Sequence, residues 1–255
     1  MRGWGLLVLT WVLGSSMAWA ASPAAQPDLV RLASEEWSEY TNKDGTGLAW
    51  DVLRKVFEPA GVRVQIRTEP YSRAVGLVEK NEADAWVGSY QKEKSVNLYP
   101  RWHFDVDHIY ALGLASKAAP QPEAIGQYRL AWVRGYEFQR YLPNIKRYDE
   151  VQRRNGIVSM LLHDRADYYI DALTEVEYVQ GMAKDPMLLK STHLAELPLY
   201  LAFADTPRGR ALLALFDRRM DKLVPSGELR EIFDRWQQPY PFVDGHSKPA
   251  SDQTF

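Results

Sequence analysis

The chain has 255 residues, with 46% hydrophobic and 25% charged side chains, proportions of a folded globular protein and not of a disordered one. Its 31 basic and 33 acidic residues give a formal charge of −2, so charge offers no argument for a nucleic-acid binder or a polybasic membrane docker. The absence of cysteine excludes disulfides, Cys-ligated zinc, iron–sulfur clusters, thiol catalysis and a lipoprotein anchor together.

Residues 1–20 read as a separate object. Arg2 precedes an apolar run from 6 to 13, and small residues end in Ala18-Trp-Ala20. That is the layout of a cleavable secretory signal, and it is too short and too early interrupted by Ser15 and Ser16 for a membrane span. The expected mature chain is soluble, exported and free of a lipid tether, which for a cysteine-free protein fits a bacterial periplasm. Three of the nine tryptophans lie in this segment.

The mature part alternates strand and helix patterns. Residues 29–33 alternate as a strand, and the following loop to 47 carries Trp37, Tyr40 and an Asn-Lys-Asp-Gly turn. Residues 48–59 have helical spacing closed by Gly61, 62–67 alternate as a strand, 71–80 read as a helix and 83–88 as a short strand. Strand–helix–strand–helix–strand in sixty residues predicts parallel βαβ units. An apolar stretch at 107–115 and a Pro-containing connection at 116–122 follow. The pattern then restarts with a strand at 128–133, a turn at Gly135 and a short helix at 137–142. A helix at 151–164, a strand at 166–170, a helix at 173–181 and two apolar runs around Pro198 come next. Amphipathic helices at 208–223 and 227–236 close the pattern, and 241–255 read as a flexible tail.

Two α/β halves with a cleft between them is the economical architecture, and ligands bind where strand carboxyl ends open onto such a crevice. There is no G-x-S-x-G elbow, P-loop, dinucleotide fingerprint or H-E-x-x-H, so no catalytic residue or cofactor is expected. His103 and His108 lack ligand spacing and no third ligand is evident in the sequence, so no metal site is expected either.

Three stretches resemble the extracytoplasmic solute-binding proteins of family 3, the two-lobed "Venus flytrap" receptors of amino-acid ABC importers. Asp44-Gly-Thr-Gly-Leu-Ala-Trp-Asp51 is similar to the start of the family's first helix. Val78-Glu-Lys-Asn-Glu-Ala-Asp84-Ala-Trp-Val-Gly88 is similar to its L-x-x-G-x-x-D-A-x-x-x-G run. Leu199-Tyr-Leu-Ala-Phe203, the helix from Gly209 and Ser226-Gly-Glu-Leu-Arg-Glu-Ile-Phe-Asp-Arg-Trp236 resemble its ending. The resemblance implies an α/β periplasmic-binding-protein fold with a hinge between a discontinuous first lobe, 28–110 plus 199–240, and a second lobe, 111–198.

It also implies ligand-binding positions. The family's aromatic after the first strand falls on Trp37 or Tyr40. Its cleft arginine falls on Lys92, a point charge where arginine would offer a fork, and Tyr90 stands where its threonines would be. In the second lobe, Arg134 and Tyr136 match the turn after the first strand, and Asp171 matches the acid that holds a ligand amine. The implied function is capture of a small polar, amino-acid-like or amine-bearing solute by lobe closure. Lys92 or a backbone donor would hold an anionic end, Asp171 a cationic end, and Trp37, Tyr40 or Tyr90 the middle. The expected molecule is a monomer that binds no nucleic acid and hands its solute to a membrane permease. The alternatives are a ligand-sensing subunit for a signalling receptor and a periplasmic hydrolase or lyase on the same scaffold.

Overall fold

The computed structural model describes residues 27–242. The expected signal segment, 1–20, lies outside the described residues. Strand β1 (Leu29–Ser34) is followed by helix α1 (Leu48–Phe57), strand β2 (Arg63–Thr68), helix α2 (Tyr71–Glu79) and strand β3 (Ala85–Ser89). β1 pairs in parallel with both β2 and β3, as the βαβ pattern requires. A two-residue strand β4 (Asn97–Leu98) and a long strand β5 (Asp105–Leu114) come next. The second series is β6 (Leu130–Val133), β7 (Tyr148–Val151), helix α3 (Ile157–Leu162), β8 (Tyr168–Ala172) and helix α4 (Leu173–Gly181). Strand β9 (Leu189–Ala204) and helices α5 (Pro207–Ser226) and α6 (Arg230–Arg235) complete the fold.

The strands form one continuous order, β2-β1-β3-β9-β5-β8-β6-β7, with β4 also on β9. β9 is the pivot of this order. Its first part pairs antiparallel with β5 up to Leu199, and from Tyr200 onward it pairs with β3. β5 and β9 are therefore the two strands that pass between the halves of the sheet. α5 and α6 return to pack on the β1–β3 half, where Leu212, Phe216, Met220 and Phe233 are buried beside α1 residues Trp50, Leu53 and Phe57.

The motif acids are structural anchors here. Asp84 accepts from the Arg31 backbone N–H at 2.8 Å and from the Arg31 and Arg208 guanidinium groups at 2.7 and 3.0 Å. Asp51 accepts from Trp236 Nε1 at 2.9 Å and so staples α1 to the end of α6.

The structure corrects four sequence expectations. The helix expected at 151–164 begins only at Ile157, after a 3-10 turn at Arg154–Gly156, and 148–151 are the outer strand β7. The two runs around Pro198 are one sixteen-residue strand. Pro198 stands opposite Val106, next to the point where β9 exchanges β5 for β3, so its missing N–H falls where the ladder is already changing partner. The helix expected to end at 223 continues through Pro225 as α5 and ends at Gly227 in the left-handed conformation. Of the tail expected at 241–255, residues 243–255 lie outside the described residues, and 241–242 belong to the fold. Phe242 is buried and stacks on the ring of His103 at 4.9 Å, which makes that histidine a core residue.

Candidate functional site

A cavity of about 150 Å³ opens between the two halves, a volume suited to a ring-sized molecule. Its aromatic lining is Trp37, Tyr40, Tyr71, Tyr90 and Tyr136; its acidic lining is Glu39, Asp107, Asp171, Glu175 and Glu177. The loop after β1 supplies Trp37, Glu39 and Tyr40, and α2 supplies Tyr71 from its first residue. The ends of β3 and β8 bring Tyr90 and Asp171, and the first turn of α4 brings Glu175. This is the carboxyl-end placement that open α/β sheets use for ligands.

Trp37 is seated by a backbone peculiarity. Gly88 has a φ of +87°, and a Cβ there would lie 1.8 Å from the Trp37 ring. Only glycine admits both the conformation and the indole above it. Tyr90 is held by its hydroxyl, which donates to Asp107 Oδ2 at 3.0 Å. Beneath these aromatics Glu93 is buried and accepts from the Tyr71 hydroxyl at 2.6 Å and the Ser89 hydroxyl at 3.0 Å.

The electrostatic centre is Arg154, from the 3-10 turn before α3. Its Nε lies 3.0 Å from Asp171 Oδ2 and 3.0 Å from Glu175 Oε2, and its NH2 donates to the Tyr136 hydroxyl at 2.8 Å. Tyr136 in turn donates to Glu35 Oε2 at 3.2 Å, and Glu35 lies 3.9 Å from Arg154 NH1. Asp171 also accepts from the Tyr169 hydroxyl and, at 2.9 Å, from the Ala172 backbone N–H. One guanidinium thus answers three carboxylates, and Asp107 adds a fourth acid nearby.

The carboxyls register this imbalance. Burial, reinforced by Asp171 and only partly offset by Arg154, pushes Glu175 up to about 7. Burial also pushes Asp107 up to about 7, against the pull of the Tyr90 hydrogen bond. Glu35 is raised by burial, while Arg154 pulls it down. Arg154 keeps its proton because the surrounding carboxylates outweigh the burial that opposes its charge.

Of the sequence-derived positions, the cavity brings together Trp37, Tyr40, Tyr90, Tyr136 and Asp171. Lys92 and Arg134 are not among its lining residues. Lys92 is exposed at a φ of +58°, and its carbonyl accepts from Arg140 NH2 at 3.4 Å. Arg134 is 59% exposed and leans toward Glu150 at 3.9 Å. Neither side chain lines the cavity, so it has no cation at the position expected to hold a ligand carboxylate. Arg154 and Glu175 were not anticipated. Each sits in a charged segment that reads as an ordinary solvated helix face.

A second cavity of about 170 Å³ adjoins the first and shares Tyr40, Val106, His108 and Gln238 with it. Among the described residues, one group has donor atoms suited to a metal: His108, His193 and Glu196, each offering an atom within 4.8 Å of the others. The sequence spacing conceals this group, because His108 is on β5 and its companions are on β9. No described helix is long and apolar enough to cross a membrane.

No family model and no curated protein matches the chain. Solved structures do. A histidine kinase sensor domain with similarity to periplasmic binding proteins superposes with a TM-score of 0.68 at 16% identity, over 83% of this chain and 96% of the other. The substrate-binding protein of an amino-acid ABC transporter gives 0.62 at 14% identity, over 82% and 98%. EhuB in complex with hydroxyectoine gives 0.64 at 20% identity, over 83% and 89%. The shared feature at this level of identity is the fold, an α/β arrangement on a curled sheet.

Proposed function

We propose that this chain, built on the periplasmic-binding-protein fold, is an extracytoplasmic binding protein. Its solute is a small amine-bearing cation, captured between a first lobe of 28–110 plus 199–240 and a second lobe of 111–198. The observation that carries this reading is the cavity's charge. Asp107, Asp171 and Glu175 line the cavity, and the Arg154 guanidinium beside it is already committed to Asp171, Glu175 and Glu35. A carboxylate-bearing ligand would find no uncommitted cation in the lining, whereas an ammonium group would relieve the like-charge repulsion.

The chemistry is binding without covalent change. An ammonium entering the cavity meets the faces of Trp37 and the neighbouring tyrosines, where cation–π attraction is worth about 0.5–2 kcal/mol per ring. Asp171 and Glu175 supply charge-assisted hydrogen bonds of roughly 1.5–3 kcal/mol each. Contacts already link segments of the two lobes: Tyr136 to Glu35, Arg140 NH1 to the Glu93 carbonyl at 2.6 Å, and Lys94 to Glu137 at 3.5 Å. A ligand bridging Trp37 and Glu175 adds to this latch and shifts the population toward the closed form. The closed form is what a membrane permease would receive. The likeness to a histidine kinase sensor domain favours, as a second reading, a signalling partner for the same closed form.

The test is a thermal-shift and calorimetry panel of linear diamines and triamines, quaternary amines, basic and neutral amino acids, and dicarboxylates. An amine at a hundred times its Kd should stabilise the protein by about 2.7 kcal/mol. Glu175→Gln should weaken that binding roughly tenfold or more, equivalent to about 1.4 kcal/mol or more. Selective binding of dicarboxylates, or turnover of any compound in the panel, overturns the reading.

A further inference from the structure

The ladder between β5 and β9 carries an irregularity whose effect is chemical. His108 stands opposite Glu196 and Ile109 opposite Ala195, but Tyr110 stands opposite His193, with Leu194 passed over. In an unbroken strand, residues three apart point to opposite faces, so His193 and Glu196 would be separated by the thickness of the sheet. The extra residue is a β-bulge. It turns Leu194 into the core and returns His193 to the face that His108 and Glu196 share.

On that face His108 Nδ1 lies 3.5 Å from Glu196 Oε1, and the His108 and His193 rings are 6.3 Å apart at 49°. The Tyr110 ring supports His193 edge-on at 5.2 Å. One donor atom from each of the three residues falls within 4.8 Å of the others. Tetrahedral zinc with bonds near 2.0–2.1 Å needs donors about 3.3 Å apart, and rotation of the exposed His193 and Glu196 side chains supplies the difference.

We propose that His108, His193 and Glu196 bind a divalent transition-metal ion, with zinc as the reference. Two imidazoles and one carboxylate suit borderline ions and disfavour magnesium and calcium, which prefer all-oxygen sets. Three protein ligands leave a fourth position open. His108 and Glu196 both line the second cavity, so an exchangeable water or an anionic donor has room to occupy that position. The ion would join β5 to β9 at the strands that pass between the two halves. This proposal does not depend on the identity of the solute.

The experiment is calorimetric titration of chelator-treated protein with Zn²⁺ alone, paired with Co²⁺ titration read by visible absorption. The expected result is one ion per chain and a cobalt spectrum of low coordination number. His193→Ala and Glu196→Gln should each weaken binding roughly tenfold or more. Both residues are exposed, so circular dichroism should remain that of the parent. His163→Ala, on a different element, should leave the titration unchanged. Absence of binding at up to about 100 μM zinc, or binding that survives both His193→Ala and Glu196→Gln, overturns the proposal.

Discussion

At Glu175 the physics can be read through pH. The carboxyl is faced by Asp171, Asp107 and Glu35 on the acidic side and by Arg154 on the basic side, and it is pushed up to about 7 in the folded chain. Its folded value lies above its unfolded one, so it contributes stability at low pH that is lost as pH rises through about 7. Between those two values the cost is up to about 1.4 kcal/mol per pH unit. The melting temperature of the empty protein should fall from about pH 5 to pH 8, and Glu175→Gln should flatten that fall. An amine displaces the same proton, so its affinity should rise by up to about tenfold per pH unit below about pH 7 and level off above it. At Gly88 the argument is steric. Gly88→Ala pushes the Trp37 indole off its seat, so amine affinity should drop while the far-UV spectrum is retained, and Trp37 fluorescence should shift. Trp37, Tyr136 and Asp171, positions that the family resemblance implied, all line the cavity. Arg154 was not legible, because its role comes from a turn that folds it back across three acids from distant elements.

Elements show the same division. The first βαβ units were readable because apolar periodicity and tight turns agree there, as with Leu48, Val52, Leu53 and Val56 on α1. β7 was not, since Tyr148-Asp-Glu-Val151 is a mostly exposed edge strand with no apolar alternation to announce it. β9 was divided at Pro198 because sequence alone does not reveal that the proline sits at a change of partner. The end of α5 offers a quantitative check. Gly227 adopts a φ of +73°, and its backbone N–H closes the helix on the Val224 carbonyl. Gly227→Ala should therefore cost about 1 kcal/mol in urea unfolding without altering the solute cavity, which lies on other elements.

For the whole molecule, the long-range ties matter most. Asp84 joins β1, the start of β3 and the start of α5 through Arg31 and Arg208, residues separated by 53 and 124 positions from it. Asp84→Ala removes a buried acceptor shared by the Arg31 backbone N–H and two partly exposed guanidinium groups and should lower stability by about 1–2 kcal/mol, measured by denaturant unfolding, with amine affinity unchanged at temperatures where the variant is folded. The two-lobed α/β architecture was legible because the strand–helix pattern restarts after 122 and then ends in two amphipathic helices, which pack on the β1–β3 half as α5 and α6. The charge economy of the cavity was not, since it depends on which side chains local backbone turns inward.

The passage of β5 and β9 side by side has a mechanical consequence. Strands β6, β7 and β8 all lie between these two in the sequence, whereas Leu29 and Phe242 both belong to the other half. A pull applied at Leu29 and Phe242 therefore loads β1, α6 and the β3–β9 ladder first. The inserted half stays outside the path of the force until that ladder opens, held shut meanwhile by the antiparallel pair through which the chain enters and leaves it.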